Sequence, residues 1–163
     1  GYDVDRVYAL FDQLTGVEVD DGCYVDIYLK SGAVLRVEIC TYNFITLPLM
    51  YVRGRTGTLL AQTWFGGVDM VRCTEWGDHD DILPVRAAAG FTKTMAPRGE
   101  RAIERSHVEY VATDVHNYYR NFCAAVDGKE EQLIKNCEVR RVLLVMEAAF
   151  KSAEKLEALK VNI

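Results

Sequence analysis

The fold is decided by one stretch of sequence: Cys23-Tyr-Val-Asp-Ile-Tyr-Leu29, then Lys30-Ser-Gly32, then Ala33-Val-Leu-Arg-Val-Glu-Ile39. Apolar side chains recur at every second position on both sides of the short glycine-containing segment. A period of two is typical of β-strands, and a short turn with glycine between two such runs is typical of a hairpin. This stretch therefore predicts two antiparallel strands joined by a tight turn.

Further strands are predicted on either side of this hairpin. Residues 5–14 make a plausible earlier strand, and residues 49–53 and 58–62 form a second hairpin around a Gly-x-x-Gly turn. Another strand is predicted at residues 69–74. Residues 76–111 show no sustained period, so we predict a long excursion there with one or two short strands.

The last third of the chain is predicted to be helical. Apolar residues recur at helical spacing between Val115 and Val126, and Gly128 stands at the expected stop. A second helix is predicted to begin with Asn136 as its N-cap, and Lys160–Ile163 could add a short terminal strand. The predicted buried stripe of the second helix consists of Val139, Val142, Leu143, Met146, Phe150 and Ala153.

Strands followed by helices predict an α+β fold: an open antiparallel sheet with two C-terminal helices packed on one face. The helices can cover only one face of such a sheet. The other face is predicted to carry Tyr24, Tyr28 and Val34 together with three charged residues, Asp26, Arg36 and Glu38. Because aromatic residues are enriched at interfaces, we interpret this face as an oligomer interface.

The composition narrows the functional class. The 163 residues carry a net charge of −5 and no basic stretch, which argues against nucleic acid as a partner. No apolar run reaches the ~18 residues that a membrane span requires. Five cysteines without Cys-x-x-Cys spacing indicate reduced thiols in the cytoplasm and no zinc site. We therefore expect a cytoplasmic protein of one domain, without membrane, metal or nucleic acid.

Two segments could carry binding chemistry. In the run Trp76–Asp81, carboxylates surround His79, which could bind a cation or form a solvated turn. The segment Gly90–Arg98 holds Lys93 and Arg98 with two threonines, which could present donors to a polyol or a carboxylate, or form an exposed basic loop. No glycine-rich strand-to-helix turn and no nucleophile elbow occur, so neither a nucleotide site nor covalent hydrolysis is supported.

Four segments together resemble a known family. They are Tyr119–Glu131 and Val139–Lys155 at the closing helices, the hairpin Tyr51–Leu59, and Gly90–Arg98. They are similar to the glucose–fructose oxidoreductase, inositol dehydrogenase and rhizopine-catabolism family. Members of that family have an N-terminal Rossmann domain that binds NAD(P) and carries a catalytic lysine. A C-terminal α+β domain follows, opening with a helix that carries an active-site Asp and His.

The resemblance implies that residues 1–163 form the C-terminal substrate-binding and oligomerisation domain, without the Rossmann domain of the parent protein. None of the family's catalytic or cofactor-binding residues can be carried over to this chain, so NAD or NADP is expected only in the full-length parent. The implied partners are a sugar or polyol substrate, the protein's own N-terminal domain, and further copies through the open sheet face. The predicted substrate-binding residues are Tyr42, Asn43, Thr46, Lys93 and Arg98.

The function implied is that of the substrate-side half of an NAD(P)-dependent oxidoreductase. It would help to transfer a hydride between nicotinamide and a sugar, inositol or related polyol, and it would be inactive as an isolated fragment. Two alternatives remain open: a non-enzymatic ligand-sensing domain and a dimerisation module. A Gly-x-Gly-x-x-Gly and a Glu-Lys-Pro motif upstream of this chain would favour the enzyme over both.

Overall fold

A computed structural model of the chain describes residues 2–16, 18–76, 82–94 and 96–161. The chain divides into two compact units: one comprises residues 1–44 and 114–163, and the other comprises residues 45–113. In chain order the elements are β1 (Val4–Asp12), β2 (Gly22–Leu29), β3 (Val34–Cys40), β4 (Met50–Arg53), β5 (Gly57–Ala61), β6 (Val68–Cys73), β7 (Val85–Ala87), β8 (Gly90–Thr92), β9 (Ile103–Val108), α1 (His116–Val126), α2 (Asn136–Lys155) and β10 (Leu159–Lys160).

The first unit contains a four-stranded antiparallel sheet in the order β10-β1-β2-β3. The predicted hairpin is confirmed, because β2 and β3 pair throughout, with Val25 opposite Val37. At its tip the N–H of Leu29 donates to the carbonyl of Ala33 at 2.9 Å. Gly32 has φ +86°, a left-handed conformation that glycine adopts without steric cost.

Helix α2 packs against β1, and the core of this unit lies between them. Its buried residues are Val4, Val7 and Ala9 from β1 with Ala148 and Ala149 from α2. Small side chains on the helix let its backbone approach the strand closely. The helix and the sheet therefore meet chiefly through alanines, with Val145 packed against this core and Phe150 stacked on Phe11.

The predicted buried stripe of α2 is wrong for its five large residues, and only its sixth residue, Ala153, is partly buried. Val139, Val142, Leu143, Met146 and Phe150 are all exposed to about half of their surface, and the buried residues of the helix are Ala148, Ala149 and Ser152. Helical spacing finds every apolar stripe, but it does not say which of two neighbouring stripes faces the sheet. In α2 the stripe of small residues does so.

The predicted glycine stop of α1 is confirmed, whereas the N-cap of α2 lies one residue before the predicted position. Asp114 accepts the N–H of His116 at 2.9 Å, and Gly128 after α1 has φ +71°, as the predicted stop requires. The N-cap of α2 is Lys135, one residue before the predicted Asn136. The carboxylate of Glu138 accepts the N–H of Lys135 at 2.9 Å, which satisfies a donor that the start of a helix leaves open.

The second unit contains a four-stranded antiparallel sheet in the order β4-β5-β6-β9 and the separate hairpin β7-β8. The predicted hairpin 49–62 and the strand near 69–74 are confirmed as β4, β5 and β6. The one or two short strands predicted within residues 76–111 are three in the structure, β7, β8 and β9. The position of β9 was not predicted, because its residues are mostly exposed and lack apolar alternation.

The α+β class and the C-terminal helices are confirmed, with the strands divided among several antiparallel sheets. Within the part of the chain that the structure covers, no helix is both long enough and apolar enough to cross a membrane.

Candidate functional site

The predicted rim residue Tyr42 lies at the end of the first sheet. Its hydroxyl donates to the carboxylate Oδ2 of Asp12 at 2.9 Å. A Cβ at Gly22 would lie 3.0 Å from that hydroxyl, so glycine makes room for the ring. Partial burial and then the Asp12 carboxylate raise the pKa of Tyr42 above its ordinary value. The hydroxyl is therefore oriented by Asp12, and its oxygen can still accept a hydrogen bond from a ligand.

Asn43 and Thr46 are exposed side chains on the segment that follows β3. Asn43 belongs to the first compact unit and Thr46 to the second. Both side chains are accessible to a ligand, and each offers hydroxyl or amide groups for hydrogen bonding.

Lys93 and Arg98 lie in the second unit, beyond strand β8. The carbonyl of Lys93 accepts the N–H of Ala96 at 3.1 Å, which forms a turn. The guanidinium of Arg98 lies over the ring of Trp76 at 5.2 Å from its centroid, a cation–π contact. The predicted cation run 76–81 lies largely outside the described residues. In the described part of the chain no group of His, Cys, Asp and Glu side chains could hold a metal ion.

The open face of the first sheet carries the predicted aromatic and charged residues. Strand register places Tyr24 opposite Glu38, Asp26 opposite Arg36, and Tyr28 opposite Val34, and directly opposed residues share a face. Arg36 donates from Nε and Nη2 to the two carboxylate oxygens of Asp26, each at 2.7 Å. These hydrogen bonds hold the pKa of Asp26 below its ordinary value. The charge pair at the centre of this face is thus satisfied within the chain.

One further pair was not predicted from the sequence. His107 on β9 stands directly opposite Asp69 on β6, and its Nδ1 lies 2.7 Å from the Asp69 carboxylate. This hydrogen bond first, and the Glu109 carboxylate beyond it, raise the pKa of His107 above its ordinary value. The two residues are 38 positions apart, so only the strand register brings them together. The pairing of a carboxylate with a histidine fixes the ring and leaves Nε2 for other contacts.

A nicotinamide nucleotide does not fit these described residues. Dinucleotide sites place the pyrophosphate at the N-terminus of a helix that follows a strand through a glycine-rich turn. Helix α1 follows β9 through residues 109–115, which contain no glycine, and α2 follows another helix. The described part of the chain thus offers surfaces for a substrate or a partner, and no nucleotide cradle.

The α+β fold of the described residues is shared by solved structures of an NAD-binding protein and of dehydrogenases. The chain is similar to an NAD-binding protein from Listeria innocua, with 32% identity and a TM-score of 0.83 over 98% of this chain and 46% of that one. It spans less than half the length of the solved chains that it matches.

Two further solved structures have the same fold at lower identity. One is levoglucosan dehydrogenase in complex with NADH and levoglucosan, with 14% identity and a TM-score of 0.64 over 99% of this chain and 46% of that one. The other is the WlbA dehydrogenase from Bordetella pertussis in complex with NADH and UDP-GlcNAcA. It has 14% identity and a TM-score of 0.54 over 99% of this chain and 40% of that one.

The structural neighbours are NAD-binding oxidoreductases of the glucose–fructose oxidoreductase, inositol dehydrogenase and rhizopine-catabolism type, so the resemblance predicted from the sequence is confirmed. No family model matches the sequence, and no curated protein matches it.

Proposed function

We propose that residues 1–163 are the substrate-side, C-terminal domain of a cytoplasmic NAD(P)-dependent oxidoreductase. The whole protein transfers a hydride between nicotinamide and a hydroxyl-bearing carbon of a sugar, inositol or related polyol. A Rossmann domain elsewhere in the polypeptide binds the nucleotide, and this chain alone is inactive. The protein's part in such chemistry is to hold the reacting carbon against the cofactor and to move the hydroxyl proton.

One observation carries this proposal. The similarity to the Listeria innocua NAD-binding protein extends over 98% of this chain at 32% identity, yet it accounts for only 46% of that protein. The chain therefore corresponds to one part of a protein that binds NAD, and the described residues of this part hold no nucleotide cradle. Neighbours with the same fold are dehydrogenases solved with NADH and sugar compounds, which supports a sugar or polyol as the substrate.

The surface of α2 supports the presence of further polypeptide. Val142, Leu143 and Met146 form an apolar stripe along the helix, and Leu143 is 52% exposed. Contiguous exposed apolar surface of this kind usually marks a contact with another domain or protein. We propose that the rest of the polypeptide covers this stripe.

For the substrate side, we propose that Tyr42, Asn43, Thr46, Lys93 and Arg98 contribute hydrogen bonds to substrate hydroxyls. Asn43 and Thr46 are exposed, and Tyr42 can accept a hydrogen bond while it donates to Asp12. The other domain would contact the nucleotide and would therefore select NAD or NADP.

Oligomerisation is proposed through the open face of the first sheet. The Asp26–Arg36 pair neutralises the two central charges of that face, and Arg6 lies over the Tyr28 ring at 5.0 Å from its centroid. Burying these two charges against a second copy costs less as a pair than burying either one without its partner. The same face supports a dimerisation module, the alternative function, if the longer polypeptide lacks a Rossmann domain.

Activity of the polypeptide that contains this chain tests the proposal. The purified protein is assayed for NADH or NADPH formation with levoglucosan, inositol and aldose sugars, and the chain of residues 1–163 serves as the matched control. We expect cofactor reduction with at least one of these substrates from the longer protein and none from the control. A longer protein that binds a sugar but reduces no cofactor would instead favour the ligand-sensing function.

A further inference from the structure

An exposed aromatic cluster lies at one end of the β4-β5-β6-β9 sheet. Trp64 and Phe65, in the turn between β5 and β6, are 73% and 75% exposed. The Phe65 ring meets the ring of Tyr110 edge to face at 5.3 Å between centroids. Since Tyr110 follows β9, this contact ties the turn to the end of that strand. Large aromatic side chains held together in solvent commonly mark a binding surface.

The Asp69–His107 pair borders this cluster. Gly67 closes the aromatic turn with φ +71°, and a Cβ there would lie 2.7 Å from Nε2 of His107 and would also clash with the carbonyl of Val108. The backbone of the turn therefore packs directly against the histidine ring. Only glycine permits both the left-handed conformation and this close approach. The turn and the pair of side chains form one continuous surface.

The second nitrogen of His107 retains hydrogen-bonding capacity. Nε2 lies 3.8 Å from Oε2 of Glu109, which is beyond hydrogen-bonding distance. Asp69 holds the opposite nitrogen at 2.7 Å, so in the neutral ring the proton lies on Nδ1 and Nε2 is an acceptor. His107 Nε2 and the Glu109 carboxylate thus lie side by side just before Tyr110 in the chain, and Nε2 accepts a hydrogen bond in the neutral ring and donates one in the protonated ring.

We infer that this surface binds the ring of a sugar or cyclitol. Such a ring has an apolar C–H face, which would stack on Phe65 and Trp64. Its edge carries hydroxyls, which would donate to the Glu109 carboxylate and would accept from or donate to His107 Nε2 according to the protonation of the ring. Ligand sites combine aromatic walls with a few well-placed polar groups in this manner. The ligand class rests on the proposed function, whereas the position of the surface rests on the contacts within the second unit alone.

Tryptophan fluorescence tests the inference without any cofactor. The chain has two tryptophans, so Trp76→Phe leaves Trp64 as the single reporter. We expect inositol or glucose to change its fluorescence saturably, with a Kd on the order of 1–10 mM. Trp64→Phe leaves only Trp76, which lies under Arg98, so any sugar signal there reports the Arg98 site and should not change when His107→Ala is added. His107→Ala in the Trp76→Phe background should weaken binding about tenfold.

A matched control is available in the first unit. His116 pairs with Asp114 at 2.8 Å and is also exposed, so His116→Ala removes a similar pair and should leave sugar binding unchanged. If His107→Ala does not fold, Glu109→Gln and Phe65→Leu replace it, each judged by an unchanged circular dichroism spectrum.

Two results would overturn the inference. One is the absence of saturation with either sugar in the folded Trp76→Phe chain. The other is a Trp64 signal that follows protein concentration instead of sugar, which would show that the aromatic cluster is a protein contact. Because no nicotinamide is present, either result leaves the proposed dehydrogenase activity to its own assay.

Discussion

The rings of Phe11 and Phe150 stack face to face, with their centroids 4.8 Å apart and their planes 3° apart. Phe11 belongs to β1 and Phe150 to α2, so this contact extends the core between strand and helix towards its edge. Phe150 nevertheless remains 50% exposed. Phe150 is therefore packed on the ring face that meets Phe11, and about half of its surface remains open to solvent.

Phe150→Ala should destabilise the chain by roughly 1–2 kcal/mol, less than the ~3–5 kcal/mol of a fully buried phenylalanine. A domain of this size should then melt about 2–8 °C lower. Phe150→Leu, which keeps apolar contact with Phe11, should lose less. Thermal unfolding followed by circular dichroism measures both. If Phe150→Ala instead lost the ~3–5 kcal/mol of a fully buried phenylalanine, Phe150 would be covered in solution, for example by a second copy.

The hydroxyl of Ser152 links α2 to β1 and is fully buried. It accepts the N–H of Ala9 at 3.0 Å and donates to the carbonyl of Glu157 at 2.6 Å. Ser152→Ala would leave both backbone groups without this partner, so we expect a loss of about 1–3 kcal/mol in urea unfolding. The exposed Ser31→Ala is the control and should change stability by less than ~0.5 kcal/mol. Equal effects of the two substitutions would contradict the role of Ser152.

Tyr28→Asp should dissociate an oligomer formed through the open face of the first sheet. The added carboxylate would lie in that face between Val34 and Arg6, and even if it paired with Arg6 its desolvation against a second copy would be costly. Light scattering at micromolar concentration should show a dimer or larger assembly for the parent chain and a monomer for the variant. Tyr119→Asp on α1 is the control and should leave the assembly intact. A parent chain that is strictly monomeric would refute the proposed interface.

The pKa of His107 should lie above the ordinary value for histidine, raised chiefly by the hydrogen bond to Asp69 and further by Glu109. Because the pKa of His107 is higher in the folded state, protonated His107 paired with Asp69 stabilises the fold at pH values below the pKa of histidine in the unfolded chain. This contribution is lost as the pH rises through the folded pKa. Asp69→Asn should lower the pKa of His107, as an NMR titration of the imidazole would show. An unchanged pKa would mean that the pair does not persist in solution.

Much of the fold was predictable because its signal is local. Alternating apolar residues on both sides of a glycine turn predict the β2–β3 hairpin. Apolar residues at helical spacing predict α1 and α2. The same alternation correctly placed Asp26 and Arg36 on one face, because a strand's period of two fixes facing residues once the turn is known.

What the sequence could not supply depends on contacts between distant segments. Strand β9 lacks apolar alternation, since most of its residues are exposed, and it is defined only by its pairing with β6. The Asp69–His107 pair follows from that register and was missed with it. The buried face of α2 was misassigned because its large apolar residues gave a stronger signal than Ala148, Ala149 and Ser152, which meet the sheet.

Nucleotide binding tests the central claim most directly, namely that this chain is the substrate-side half of an NAD(P)-dependent oxidoreductase. Calorimetry with NAD⁺ and NADP⁺ is carried out on residues 1–163 and on the longer polypeptide that contains them. The account predicts micromolar binding of at least one nucleotide by the longer protein and negligible binding by residues 1–163, whose described helices follow no glycine-rich strand turn. Micromolar binding by residues 1–163 alone, or no binding by the longer protein, would contradict it.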